Sequence, residues 1–208
     1  MEFWNDEITE TSWKKLISLR NTLDFVLIGG WAVYLYTKLH KSKDIDIVID
    51  YSVLNKLQKE YTLNKNERLK KYEIKLEDGF DIDIYLSGYS ILSFPVKDIL
   101  ENTMIREGFK VPRPEILLLL KLGAFMNRKN SIKGGKDAID ILGIMFYADI
   151  DFEFLKKIIE KHKLEGCQKE LLNVLNEFEL SMIKYLNLNQ NSFSKLRNKY
   201  KKKVIEIL

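Results

Sequence analysis

The spacing of apolar residues changes period several times along the chain. From about Asp6 to Asn21, Ile8, Trp13, Leu16 and Ile17 recur at helical spacing and predict an amphipathic helix. Asp24 to Ile28 is a short apolar, β-branched run that reads as a strand, Gly29-Gly30 as a turn, and Trp31 to about Leu39 as the next helix. Asp44 to Ile49 alternates: Ile45, Ile47 and Ile49 take one face of a strand, while Asp44 and Asp46 take the other. Ser52 fits the N-cap of a helix reaching about Tyr61, and the lysine-rich stretch Asn64 to Lys71 follows as a polar connection. Tyr72 to Leu76 and Phe80 to Leu86 then alternate on either side of Asp78-Gly79, a hairpin turn signal. In the second of these strands Asp81, Asp83 and Tyr85 share a face opposite Phe80, Ile82, Ile84 and Leu86.

The later chain reads differently. Met104 to Val111 forms a short hairpin around Glu107-Gly108, and Pro114 suits the first position of a helix. From Asp151 onward the pattern is helical only. Asp151 caps FEFLKKIIEKHK, Gln168 to about Leu186 is amphipathic, and a final helix follows Asn191 after the short polar linker NLNQNS.

Composition narrows the chemistry. With 208 residues, 46% of them apolar, the chain can bury a substantial core. One cysteine, Cys167, leaves no internal disulfide and no cysteine-based zinc cluster, and two histidines leave little for a histidine site, so any metal should be held by oxygen. The acidic, mixed start MEFWNDEITE is unlike a secretory signal, and no apolar run is long enough for a membrane span; the expectation is a cytoplasmic protein with no membrane partner. Net charge is only +4, but basic residues concentrate in SKLRNKYKKK, 194–203. That run suits a nucleic-acid backbone, or is simply a solvated helix face.

The candidate chemistry lies on the polar faces. Aspartate is a poor strand former and clustered carboxylates repel, so two strands carrying Asp44, Asp46 and Asp83 (or Asp81) on polar faces invite a cation. Three such carboxylates can hold two magnesium ions roughly 3.5–4 Å apart, the arrangement that serves phosphoryl and nucleotidyl transfer. The plain alternative for each strand is a half-exposed sheet face. Gly29-Gly30 sits where a strand meets a helix N-terminus, which favours phosphate oxygens, or makes only a tight turn. Lys121 and Arg128, seven residues apart, project from one face of the Pro114 helix, either toward a triphosphate or as surface cations. Asp137 and Asp140 share a face of the next helix. They orient Lys121, Arg128, a base or a ribose, or else Asp137 stabilises a helix N-terminus after Gly134-Gly135.

Gly-Gly, a helix, Asp-x-Asp and a later carboxylate strand, here GGWAVYLYTKLHKSKDIDIVID and DIDIYLS, resemble the DNA polymerase β-like nucleotidyltransferases. The wording is similar to the AbiEii-type toxin branch and to the aminoglycoside and lincosamide nucleotidyltransferases. VPRPEILLLLKLGAFMNRK with Lys121, then GGKDAIDIL with Lys136 where an arginine is usual, favours the AbiEii-type branch. The resemblance covers about residues 23–145. It implies an α+β fold, a mixed β-sheet flanked by helices and followed by a C-terminal helical bundle, with a catalytic domain over residues 1–112 and a helical domain over 113–208 closing the cleft. It also implies a magnesium-dependent transfer of a nucleoside monophosphate from an NTP to a hydroxyl of RNA, such as a tRNA end, or of a protein, and a cognate antitoxin. On this reading Asp44, Asp46 and Asp83 bind metal. Gly29, Gly30 and the helix start at Trp31 contact phosphate, with Ser42 or Lys43 adding a contact; Lys121 neutralises the leaving pyrophosphate, and Arg128, Asp137 and Asp140 complete the nucleotide site. Asp83 is preferred to Asp81 because its setting is more similar to the family's third carboxylate strand. The alternatives are a small hydroxylated acceptor and a non-catalytic nucleotide-binding protein of the same fold.

Overall fold

The computed structural model describes residues 6–207. The chain divides into two compact units, Met1–Arg113 and Pro114–Leu208.

The first unit is a seven-stranded mixed sheet with helices. After α1 (Asp6–Thr22) come β1 (Val26–Ile28), α2 (Gly29–Thr37), β2 (Ile45–Ile49), α3 (Tyr51–Glu60), β3 (Asn64–Asn66), β4 (Lys71–Lys75), β5 (Asp81–Leu86), α4 (Val96–Glu101), β6 (Thr103–Arg106) and β7 (Phe109–Pro112). The sheet order is β3-β4-β5-β2-β1-β7-β6. β2 runs parallel to β5 and β1 parallel to β7, while the remaining neighbours are antiparallel. The fold class expected from the sequence, a mixed sheet flanked by helices with a helical part after it, is the one observed.

The core follows the apolar pattern. All three residues of β1 are buried, and β5 alternates residue by residue between half-buried and buried positions. α1 buries Leu16 and Leu19, and its Trp13 ring lies 4.9 Å from that of Trp31, whose indole N–H donates to Ser12 at 3.0 Å. α2 buries Trp31, Ala32, Val33 and Leu35, so it is a core helix and not a surface amphipathic one.

Several boundaries differ from the sequence reading. α2 begins at Gly29, two residues earlier than expected, which takes the glycine pair into the first turn of the helix. Ser52 does not cap α3: the helix starts at Tyr51, and the Asp50 carbonyl accepts from Val53 and Leu54 as the chain leaves β2. The polar stretch after Tyr61 is not merely a connection. Asn64–Asn66 pairs with β4 as an edge strand, helped by the Asn66 amide donating to Glu73 at 2.9 Å.

The second unit is helical: α5 (Pro114–Arg128), α6 (Ile132–Tyr147), α7 (Phe152–Lys161), α8 (Cys167–Glu177), a 3₁₀ segment Leu180–Leu186 and α9 (Gln190–Ile207). A short connection joins α5 to α6, as suits neighbouring helices. It is tight because a Cβ on Gly134 would stand 2.3 Å from the Arg128 carbonyl oxygen. Ser131 caps α6 by accepting from the Gly134 N–H, and Asp151 caps α7 by accepting from the Phe154 N–H, as expected for Asp151. The amphipathic stretch read as one helix from Gln168 to Leu186 breaks at Phe178. Its backbone turns extended and its buried ring packs 5.6 Å from that of Phe193. Burial of an aromatic ring outweighs the small per-residue gain from continuing the helix. No described helix is long and apolar enough to cross a membrane.

Candidate active site

Parallel pairing of β2 and β5 sets the geometry of the polar face. The register makes Asp46 and Asp83 partners, with Ile28 of β1 opposite Asp46 and Glu73 of β4 opposite Asp83. One row across four strands therefore reads Ile28, Asp46, Asp83, Glu73. Asp81 lies at another level, paired with Lys75, and its backbone N–H donates to the Asp44 carboxylate at 3.3 Å. Asp44 itself stands just before β2. The Tyr85 hydroxyl donates to Asp46 at 3.4 Å.

Gly29 and Gly30 lie against this row. Gly29 has φ +67, a left-handed conformation natural to glycine, and a Cβ there would fall 2.0 Å from Oδ2 of Asp46. A Cβ on Gly30 would fall 2.5 Å from the Ser42 hydroxyl, which is itself buried. These two positions clear the first turn of α2, whose leading N–H groups have no intrahelical partner. The residue before the helix, Ile28, offers no capping side chain. The Trp31 side chain belongs to the core, so its contribution here is the backbone N–H alone. Lys43 is exposed.

One cation enters the acidic row. Nζ of Lys71 stands 2.6 Å from Oδ2 of Asp83 and 3.0 Å from Oε1 of Glu73, with side chains only 12–16% exposed. Burial, and after it the negative charge of Asp46, push the Asp83 carboxyl from 3.8 up to about 7, against the downward pull of Lys71. Burial draws the Lys71 ammonium down, but bonding to Asp83 and Glu73 outweighs it and leaves its pKa raised. Sequence reasoning missed Lys71 and Glu73. A signal was present: the Asp78-Gly79 hairpin pairs Glu73 with Asp83, like charges directly opposite, and such a pair calls for a neighbouring cation.

The donors that suit a hard divalent ion are the carboxylates of Asp46 and Asp83, and the Lys71 ammonium already stands on the second of them. Among the described residues, no group of three or more His, Cys, Asp and Glu is gathered closely enough to hold a metal ion as it stands. What is gathered is the register pair Asp46 and Asp83, with Lys71 on the latter.

The other expected residues cluster within the helical unit. Lys121 lies 2.7 Å from Asp140 and 3.9 Å from Asp137, and the Arg128 guanidinium grips Asp137 with two hydrogen bonds of 2.7 and 3.0 Å. Asp137 and Asp140 are 1% and 5% exposed. Asp137 does not stabilise a helix N-terminus, the alternative considered above, because α6 begins at Ile132 and is capped by Ser131. The basic run lies on α9, where Lys195, Lys199 and Lys202 share an exposed face, while Arg197 and Lys203 pack over the rings of Phe193 and Phe152.

Residues 7–84 match a family described as "Nucleotidyltransferase of unknown function (DUF6036)". That segment includes Gly29, Gly30, Asp44, Asp46, Lys71 and Asp83. No curated protein matches the chain. Among solved structures, it is similar to an antigenic nucleotidyltransferase-like protein from Paracoccidioides brasiliensis at 16% identity and TM-score 0.45, over 88% of this chain and 93% of that one. It is similar to JHP933 from Helicobacter pylori at 15% identity and TM-score 0.47, over 98% and 92%. It is also similar to the Megavirus polyadenylate synthase at 12% identity and TM-score 0.39, over 79% of this chain and 45% of that one.

Proposed function

We propose that this chain is a nucleotidyltransferase that moves a nucleoside monophosphate from an NTP to a hydroxyl of RNA, of the kind a tRNA end presents. The observation that carries this reading is the Asp46–Asp83 register pair beside a glycine-cleared helix start, inside the segment that matches a nucleotidyltransferase family. Asp44, Asp46 and Asp83 would hold magnesium, which supplies charge neutralisation for the triphosphate and a lowered pKa for the acceptor hydroxyl.

This chain's own groups do the rest. The N–H groups at the start of α2 offer donors and a positive dipole end to phosphate oxygens, and Gly29 and Gly30 keep side chains from blocking that approach. Ser42, packed against Gly30, holds the helix entry in place, and Lys43 adds an exposed cation beside Asp44. The exposed lysines of α9 favour a polyanionic acceptor over a small sugar. The resemblance of VPRPEILLLLKLGAFMNRK and GGKDAIDIL to AbiEii-type toxins supports a toxin role with an antitoxin partner.

The test is incubation of the protein with magnesium, each labelled NTP in turn and total RNA, with products resolved by size. Label in a tRNA-sized band that disappears with Asp46→Asn is the expected result. Label on protein would move the acceptor to protein, binding without transfer would point to a small hydroxylated acceptor, and neither binding nor transfer of any NTP would overturn the reading.

A further inference from the structure

Lys71 stands in the acidic row without a role in the reading above. We propose that it is a positioning residue of the cation site: its ammonium is the resident counter-ion of Asp83, and a divalent cation reaching Asp83 must exchange with it. This rests on the nucleotidyltransferase reading.

Three observations carry it. First, the register lines up Asp46, Asp83 and Glu73 on adjacent strands, a row of like charges that a sheet does not tolerate uncompensated. Second, Lys71 is two residues from Glu73 and on its face, and it reaches both carboxylates, at 2.6 Å to Asp83 and 3.0 Å to Glu73. Third, the contact is not an exposed ion pair of the kind that contributes little, since the Lys71 side chain is 12% and the Asp83 side chain 16% exposed. The oxygen that Lys71 holds, Oδ2 of Asp83, belongs to the carboxylate that a second cation needs. A carboxylate committed to an ammonium is a weaker ligand, so Lys71 sets how tightly the cation binds. A cation arriving with a triphosphate brings ligands of its own, so the exchange favours the loaded nucleotide over the bare ion.

The test is direct binding of Mn²⁺ to the full chain, followed by the electron paramagnetic resonance signal of the free ion. Lys71→Gln should bind Mn²⁺ at least about tenfold tighter than wild type, because a unit positive charge next to the site has been removed. Lys71→Arg should stay near wild type, and Lys71→Gln should have no effect in an Asp83→Asn background. Equal or weaker binding by Lys71→Gln overturns the proposal. If Mn²⁺ binds wild type and is lost in Asp46→Asn, yet ignores Lys71, only the role of Lys71 fails; if none of the chains binds Mn²⁺, the role of Lys71 is overturned as well, and the nucleotidyltransferase reading is decided separately by NTP binding and transfer. Should Lys71→Gln not fold, the wild-type Lys71 ammonium can be followed by ¹⁵Nζ resonance, identified by its absence in Lys71→Arg. Its shift should change on saturation with Mg²⁺, and an unchanged signal overturns the exchange.

Discussion

The pair Asp137 and Asp140 in the helical unit and the pair Asp46 and Asp83 in the sheet unit each meet a lysine, the second through Asp83 alone, but the charges balance differently. In the helical unit two carboxylates face two cations, Lys121 and Arg128, and both carboxylates are buried. In the sheet unit the ammonium of Lys71 serves both Asp83 and Glu73 beside Asp46, the row is half-buried, and two glycines let the Asp46 and Ser42 side chains pack against the start of α2. A balanced and buried cluster behaves as a structural element whose members fail together when one is removed. An acidic row in which one ammonium serves two carboxylates is one that a ligand can complete.

The largest effects should separate the two clusters in opposite ways. Asp46→Asn should lower transfer by about a thousandfold or more, by removing an interaction made at the reacting phosphate. It should change stability by less than about 1 kcal/mol, because it relieves repulsion in an acidic row. Asp137→Ala should do the reverse to stability, costing about 3–5 kcal/mol in denaturant unfolding, because the buried end of a bidentate arginine pair is lost. If Asp46→Asn unfolds the protein and Asp137→Ala does not, the assignment of open and closed clusters is inverted.

Gly29→Ala sharpens the sheet side. The residue has φ +67, and the new methyl would meet the Asp46 carboxylate at 2.0 Å, so backbone strain and a clash combine. The expected cost is about 2–3 kcal/mol, and NTP binding should fall with it, read by calorimetry. Gly88→Ala is the control, since nothing lies within 4 Å of its added Cβ and only the φ of +77 opposes it.

Much of this was legible in the residues, for physical reasons. Buried strands announce themselves as apolar runs or strict alternation, which is why β1, β2 and β5 could be read, and with them Asp46 and Asp83 on a shared polar face. β3 could not be read that way, because Asn64, Lys65 and Asn66 form a polar edge strand whose only cue is its pairing with β4. The end of α8 was equally hidden: the pattern continues past Glu177, and only the distant ring of Phe193 draws Phe178 out of the helix. Lys71 was missed because its partners are set by strand register, which a one-residue slip would have reversed.

Proton linkage gives a smaller and signed effect. The Asp83 pKa is raised on folding, from 3.8 to about 7, so the folded protein binds more protons than the unfolded chain between those values. Stability from this group is complete at the acid end and is lost as pH rises through about 7. The unfolding midpoint should therefore decline from about pH 4 to about pH 7 in wild type and decline less in Asp83→Asn. Magnesium should flatten the wild-type slope, and its affinity should rise over the same range, because Asp83 must lose its proton to act as a ligand. A wild-type slope equal to that of Asp83→Asn would remove the charge excess from the sheet cluster.

The smallest effect concerns α9 and tests whether an acceptor polyanion is engaged at all. Lys195, Lys199 and Lys202 are spaced four and three residues apart on an exposed face, whereas the charged heads of Arg197 and Lys203 lie over aromatic rings. Neutralising the three exposed lysines to glutamine should leave NTP binding untouched and weaken RNA binding without changing which RNA is chosen. If each contacts one phosphate of a single strand, the slope of log affinity against log salt should fall by about two. The same triple change should not alter labelling of a small hydroxylated acceptor, so the salt slope separates a helix face that holds RNA from one that is merely solvated.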